Sequence, residues 1–303
     1  MIDNNDLFRK FIGNYFNYEI DMTYIGHKEL GRNNVYLIPN TKQVLKVYSD
    51  KRRWAAEVAS LKFLRNKEVI TPQLVDYGIF EDSLCWVIMS KLEGITLSEI
   101  SNEITPSQYK EIIYDMGHVL SNLHKTSRIN QFGEWDENMN NKRSWLTFAD
   151  FEIEKNRRRG HVLLSQNFPE NNLFKLGYSK MVDFEDTLSS VNTFTLCHND
   201  FSDRNILIER SGNDIKIVGI IDFELSYPSD AECDLTKMVL KNYFNKDINL
   251  FISGYRNSLG LSEDFESKHK YYMISLCLEI CSWARKNAFD FYKQAVNVLE
   301  QLV

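Results

Sequence analysis

The chain has 303 residues, 43% hydrophobic and 26% charged, which suits one large globular domain or two coupled lobes and excludes wholesale disorder. A formal net charge of −6 disfavours a nucleic-acid binder, whose affinity comes from cations neutralising phosphates, and fits a cationic small molecule as partner. The run Leu84 to Met89 is far too short to span a bilayer, and the polar start Met1 to Asp6 is unlike a signal peptide.

The five cysteines are odd in number and contain no C-x-x-C pair. Cys277 and Cys281, four apart in a helical pattern, are expected to face a core. Reduced thiols in the cytoplasm are the expectation, with neither a membrane nor a nucleic acid as partner.

The first ninety residues read as mostly strand with one helix. Asn34 to Ile38 and Gln43 to Tyr48 are β-rich runs either side of Pro39-Asn40-Thr41-Lys42, a hairpin signal. Helical spacing of Trp54, Val58, Leu61 and Leu64 predicts a helix over Lys51 to Asn66. Leu74 to Phe80 and Leu84 to Met89 follow as strands, turning at Glu81-Asp82-Ser83. Beyond Gly94 the chain turns helical. Thr105 is an N-cap, Pro106 stands at N1 and Gln108 at N3, and the stripe Ile112, Met116, Val119, Leu120, Leu123 carries that helix to His124.

Residues 130–150 read as loop, and helices are expected over 150–165 and 172–190. A strand, a turn at Ser211 to Asp214 and a returning strand Ile215 to Phe223 form a hairpin, and helical patterns fill 231–303. The expected fold is α+β: a small antiparallel-sheet lobe with one helix over 1–91, and a larger, mainly helical lobe over 92–303.

The densest polar stretch is LCHNDFSDRNILIE, Leu196 to Glu209, framed by strands. It contains H-x-D-x-x-x-x-N as His198, Asp200 and Asn205, and Asp222 follows in IIDFE. The arrangement suits phosphoryl transfer. Asp200 would accept the proton of an attacking hydroxyl, and Asn205 and Asp222 would supply the hard oxygens that Mg²⁺ demands. Turn formers and a chance strand-end Asp are the plainer account, which the flanking strands make the weaker one.

The N-terminal segment adds an independent signal. Lys46 sits mid-strand in QVLKVY, and Glu57 shares a helix face with Leu61 and Leu64. A carboxylate on an apolar face needs a partner, and Lys46 is the candidate, its ammonium aimed at nucleotide phosphates. The loop from Leu30 to Ile38 would cover the nucleotide, Gly31 making the turn and the amides near Asn33 and Asn34 approaching phosphate. An ordinary tight hairpin explains that loop equally well.

In this order, Lys46, Glu57, HNDFSDRN, IIDFE and SDAECDL, the chain resembles the aminoglycoside phosphotransferase and choline kinase superfamily, small-molecule kinases with a bilobal protein-kinase-like fold. VITPQLVDYG, MSKLEG and LSNLHKT are similar to that family's approach to the hinge, its hinge and the end of its long helix. The resemblance covers residues 30 to 240. It implies Asp200 as catalytic base, Asn205 and Asp222 as Mg²⁺ ligands, and Lys46 with Glu57 as the phosphate-positioning pair. ATP or GTP would be the donor, with backbone groups of Ser90 and Leu92 against the purine. Asp234 would support the catalytic turn.

Two departures stand out. Ser202 occupies the place where protein kinases carry a lysine two residues past the catalytic Asp, and Glu224 replaces the glycine of their DFG. The first fits a small-molecule kinase rather than a protein kinase, and the second argues against an activation-loop switch based on that glycine. Between Leu196 and Asp234 nine acidic residues face three basic ones, an excess suited to a polycationic aminoglycoside acceptor. Glu224, Asp230, Glu232, Glu279 and Trp283 are the candidate acceptor contacts. Choline or ethanolamine is the alternative, with Tyr227, Tyr271, Tyr272 and Trp283 as rings for a quaternary ammonium. A monomer or weak dimer is expected.

Overall fold

The computed structural model describes residues 4–16, 21–26, 33–212 and 214–303. Helix α1 (Asn4–Phe16) precedes a five-stranded antiparallel sheet. Its strands are β1 (Thr23–Tyr24), β2 (Asn33–Ile38), β3 (Gln43–Tyr48), β4 (Leu74–Phe80) and β5 (Leu84–Ser90), in the order β1-β2-β3-β5-β4, with α2 (Lys51–Leu64) between β3 and β4.

Strand alternation gives this sheet two apolar faces. Val44, Tyr48, Cys85, Val87 and Met89 join the α2 residues Trp54, Val58 and Leu61 in one core. Leu45, Leu84, Trp86 and Ile88 point the other way and are covered by Leu7, Phe11 and Ile12 of α1. The sheet lobe therefore has two helices where the sequence reading expects one. A helix on each face is what an all-apolar strand such as Leu84 to Met89 requires, since an exposed second face would leave Trp86 and Ile88 in water.

The second lobe begins with β6 (Ile95–Thr96) and α3 (Pro106–Thr126). The capping box read from the sequence forms: Gln108 N donates to Thr105 Oγ1 at 3.3 Å and Thr105 N to Gln108 Oε1 at 2.9 Å. Next come β7 (Arg128–Ile129), α4 (Phe148–Leu164) and α5 (Asn171–Val182). The single helix expected over 172–190 is instead α5 followed by a separate 3₁₀ turn, Glu185–Ser190, which swings Leu188 fully inside. Strands β8 (Phe194–Cys197), β9 (Ile206–Ser211), β10 (Asp214–Ile220) and β11 (Tyr227–Ser229) make two small sheets, β10-β9-β6 and β11-β8-β7. Helices α6 (Thr236–Lys241), α7 (Ile248–Leu259), α8 (Phe265–Asn287) and α9 (Phe289–Leu302) complete the lobe. Cys277 and Cys281 are buried in α8, and all five cysteines are free thiols. Among the described residues no helix is long and apolar enough to cross a membrane.

Helices α3 and α7 cross on glycines. A Cβ on Gly117 would sit 2.2 Å from Phe251 O, and one on Gly254 would sit 2.1 Å from Tyr114 O. Backbone stands in the way in both cases, so the helices would have to part. Gly117→Ala is expected to destabilise the protein by about 1–3 kcal/mol or more, read as a lower urea midpoint at unchanged slope.

Candidate active site

Residues 198–205, between β8 and β9, form a tightly held turn. The amides of His198 and Asn199 each donate to the Asp234 carboxylate at 2.6 Å, and His124 Nε2 lies 3.1 Å from the same group. His198 Nε2 donates to Ile221 O at 2.9 Å, while its Nδ1 accepts from Asp200 N at 3.3 Å. Ile221 N donates to Asn205 O at 3.0 Å, tying the turn to the end of β10. Asn199 and Asp222 adopt φ of 60° and 70°, a left-handed backbone uncommon outside glycine. Such conformations persist only where surrounding bonds over-determine them, as they do here.

From the sheet lobe, Lys46 reaches across. Its Nζ lies 2.6 Å from Glu57 Oε2, 2.7 Å from Asp222 Oδ1 and 2.9 Å from Glu224 Oε2. Tyr48, unsuspected from the sequence, donates its hydroxyl to Glu57 at 2.5 Å. Burial alone would lower the Lys46 pKa, but Asp222 and Glu57, with Tyr48 and Glu224, hold its ammonium well above the usual range. Lys46 thus stays cationic in a dry setting, which a phosphate-binding lysine requires.

The oxygen donors fit a hard cation. Asn205 Nδ2 is engaged by Asp200 O at 2.9 Å and Asp200 Oδ2 at 3.2 Å, which turns the amide oxygen Oδ1 away from Asp200. Asp222 gives one oxygen to Lys46, leaving Oδ2 with no hydrogen bond among the described residues. An amide oxygen and a carboxylate oxygen are the chemistry that Mg²⁺ prefers.

Asp200, Asn205, Asp222, Lys46, Glu57, Ser90, Leu92, Glu279 and Trp283 all border one cleft, of about 920 Å³, between the lobes, Glu279 and Trp283 from α8. The Ser90 amide is taken by Gln73 O at 2.9 Å, so Leu92 is the better placed of the two hinge residues for a base. Gly31 lies outside the described residues. Asn34 is exposed on the far face of β2, whose alternation turns Asn33 to the cleft instead, where it bonds Glu224.

Three acceptor candidates are engaged by cations from other elements. Glu224 is buried at the Lys46 end of the cleft, paired with Lys46 and Arg53. Asp230 and Glu232 are buried away from the cleft, where Lys268 approaches them at 3.2 and 2.8 Å. Tyr272 also bonds Asp230, and Ser262 bonds Glu232. The pairing of Ser229 with Thr195 steers the chain into that interior.

The acidic excess counted along the sequence is thereby cancelled in space: Asp200 pairs with Lys237 and Asp203 with Lys241. Even Glu279 on the cleft wall meets Arg159 at 2.7 Å. Arg53 was legible, four residues before Glu57 on the same helix. Lys155, Arg159 and Lys237 carried no local signal, because their significance lies in what the fold sets beside them.

A sheet lobe with a buried Lys–Glu pair, joined across a cleft to a helical lobe with an H-x-D-x-x-x-x-N turn, defines the protein-kinase-like fold in its small-molecule form. The chain belongs to the phosphotransferase enzyme family, whose model matches residues 28–267, and is a phosphotransferase with an alcohol group as acceptor. It is similar over its whole length to solved aminoglycoside phosphotransferases. With APH(4)-Ia it shares 16% identity at a TM-score of 0.72, covering 99% of this chain and 98% of the other. A ternary complex of that enzyme with AMP-PNP and hygromycin B aligns over 97% of both chains, at 16% identity and a TM-score of 0.72. The streptomycin–ATP complex of APH(2'')-IIa gives 16% identity and 0.61, covering 99% and 97%. No curated protein matches the chain in sequence.

Proposed function

We propose that the protein transfers the γ-phosphoryl group of a Mg²⁺-bound nucleoside triphosphate, ATP or GTP, to a hydroxyl of a small aminated polyol of the aminoglycoside kind. The observation that carries this reading is the placement of Lys46, Asp222, Asn205 and Asp200 along one cleft: Lys46 pairs with Asp222, the neighbouring Ile221 amide bonds Asn205 O, and Asn205 bonds Asp200. Lys46, held by Glu57, positions the α- and β-phosphates. Asn205 Oδ1 and Asp222 Oδ2 would hold the metal, which neutralises charge on the phosphates. Asp200 orients the acceptor hydroxyl and takes its proton as the new P–O bond forms. The sheet lobe then holds the nucleotide, the helical lobe holds the acceptor, and Ser90 to Leu92 joins them.

The aminoglycoside direction draws on the ligands of the similar structures and on Glu279 and Trp283 in the α8 wall. A quaternary ammonium fits less well. Tyr271 is fully buried against Asn156, and Lys155 already stands 5.8 Å from the Tyr227 ring centre. Free thiols agree with action in the cytoplasm.

A coupled assay of nucleotide consumption tests the reading across aminoglycosides of both linkage classes, hygromycin, macrolides, choline and amino-acid alcohols. Saturable, Mg²⁺-dependent turnover with an aminated polyol is expected. A response to choline alone would overturn the acceptor assignment.

A further inference from the structure

The catalytic turn lacks the cation that protein kinases keep on it. Ser202, two residues past Asp200, is buried and its hydroxyl has no hydrogen-bond partner among the described residues, so that position brings no charge to the cleft. A different element brings one. Lys237 of α6 places Nζ 3.1 Å from Asp200 Oδ1, with the two side chains only 17% and 19% exposed. Its placement follows from the fold of the turn itself. Asp234, which binds the amides of His198 and Asn199, stands three residues earlier, so the start of α6 is fixed relative to Asp200.

We infer that Lys237 is a catalytic residue that grips the transferring γ-phosphoryl group, replacing from α6 the lysine absent at Ser202. The inference rests on the kinase reading above and adds a residue to it. Lys46 and Lys237 stand at opposite ends of one polar path: Lys46–Asp222, Asp222 joined through Ile221 to Asn205, Asn205–Asp200, Asp200–Lys237. A triphosphate laid along that path has its α- and β-phosphates near Lys46 and its γ-phosphoryl beside Lys237.

Three other cations bordering the cleft are held elsewhere. Arg204 stacks over Phe291 with its guanidinium 5.4 Å from the ring centre, Lys155 pairs with Glu152, and Arg159 pairs with Glu279. When the acceptor hydroxyl approaches Asp200 Oδ1, it takes the place of the ammonium there. Lys237 then turns to the equatorial oxygens of the phosphoryl group, where charge spreads in the transition state. The bond from γ-phosphorus to the bridging oxygen breaks, its electron pair leaves on the nucleoside diphosphate, and the acceptor oxygen bonds phosphorus. The hydroxyl proton goes to Asp200, and Lys237 transfers nothing.

The test compares wild type, Lys237→Met and Lys237→Arg. Each is assayed for kcat and KM with the best acceptor, for slow nucleotide hydrolysis with water as acceptor, and for Mg²⁺–nucleotide affinity by calorimetry. The Met variant should lose about 10²–10³-fold in kcat, in transfer and in hydrolysis alike, with nucleotide affinity held within a few-fold. The Arg variant should recover part of the loss, because a guanidinium also grips phosphate. Unchanged kcat in the Met variant overturns the inference. Equal losses in both variants, or a fall in nucleotide affinity matching the fall in kcat, overturn it too, since they mark a packing role. If wild type itself neither binds nor hydrolyses Mg²⁺–nucleotide, the kinase reading falls and takes this inference with it. Wild-type hydrolysis that persists in the Met variant sinks the inference alone.

Discussion

Asp200→Asn lowers kcat by about 10²–10⁴-fold, the usual worth of a positioned general base, while the Kd for Mg²⁺–nucleotide stays nearly constant. The reason is local. The Asp200 carboxylate accepts from Asn205 at 3.2 Å and from Lys237 at 3.1 Å, while its backbone carbonyl, which the substitution leaves in place, accepts from Asn205 at 2.9 Å. An amide keeps the shape and its one oxygen still accepts from one of the two, but it cannot take the proton of the acceptor hydroxyl. The backbone that holds the turn is anchored by Asp234 and His198, neither of which the substitution touches. Single-turnover rates set against calorimetric affinities separate the two effects. A variant with wild-type turnover would remove Asp200 from the chemistry.

Asp222→Ala has the opposite signature. It should weaken Mg²⁺-dependent nucleotide binding by at least about tenfold and cut turnover by more than about 10²-fold. Titrations with and without Mg²⁺ should then nearly coincide, since the carboxylate through which the metal acts is gone. The fold should survive, because Lys46 keeps Glu57 at 2.6 Å and Glu224 at 2.9 Å and is not stranded as an unpaired buried charge. Nucleotide affinity that remained fully Mg²⁺-dependent in this variant would show that the metal is held elsewhere.

Much of the site was legible because its residues break local rules. A lysine mid-strand, a glutamate on an apolar helix face and an Asp-rich turn framed by apolar strands are each costly unless partnered, and Lys46, Glu57, Asp200 and Asp222 prove to be partnered with one another or across the cleft. The capping box at Thr105 was equally readable, being confined to the four residues Thr105 to Gln108. Helix α1 was missed, although two signals pointed to it: an unbroken apolar run at Leu84 to Met89, which needs cover on both faces, and Leu7, Phe11 and Ile12 at helical spacing.

The acceptor contacts show where reading along the chain fails. Glu224, Asp230 and Glu232 follow the catalytic turn closely in sequence, yet Arg53, Lys46 and Lys268 arrive from other elements and neutralise them. The sequence alone determined the class of chemistry, since a Lys–Glu pair, an H-x-D-x-x-x-x-N turn and the IIDFE that follows it are specified by residue type and short spacing. Only the tertiary structure decided which charges remain open to a substrate. Charge near a site is a sum over everything packed against it, and residues as distant in the chain as Lys155, Arg159 and Lys237 enter that sum only once the helices are in place.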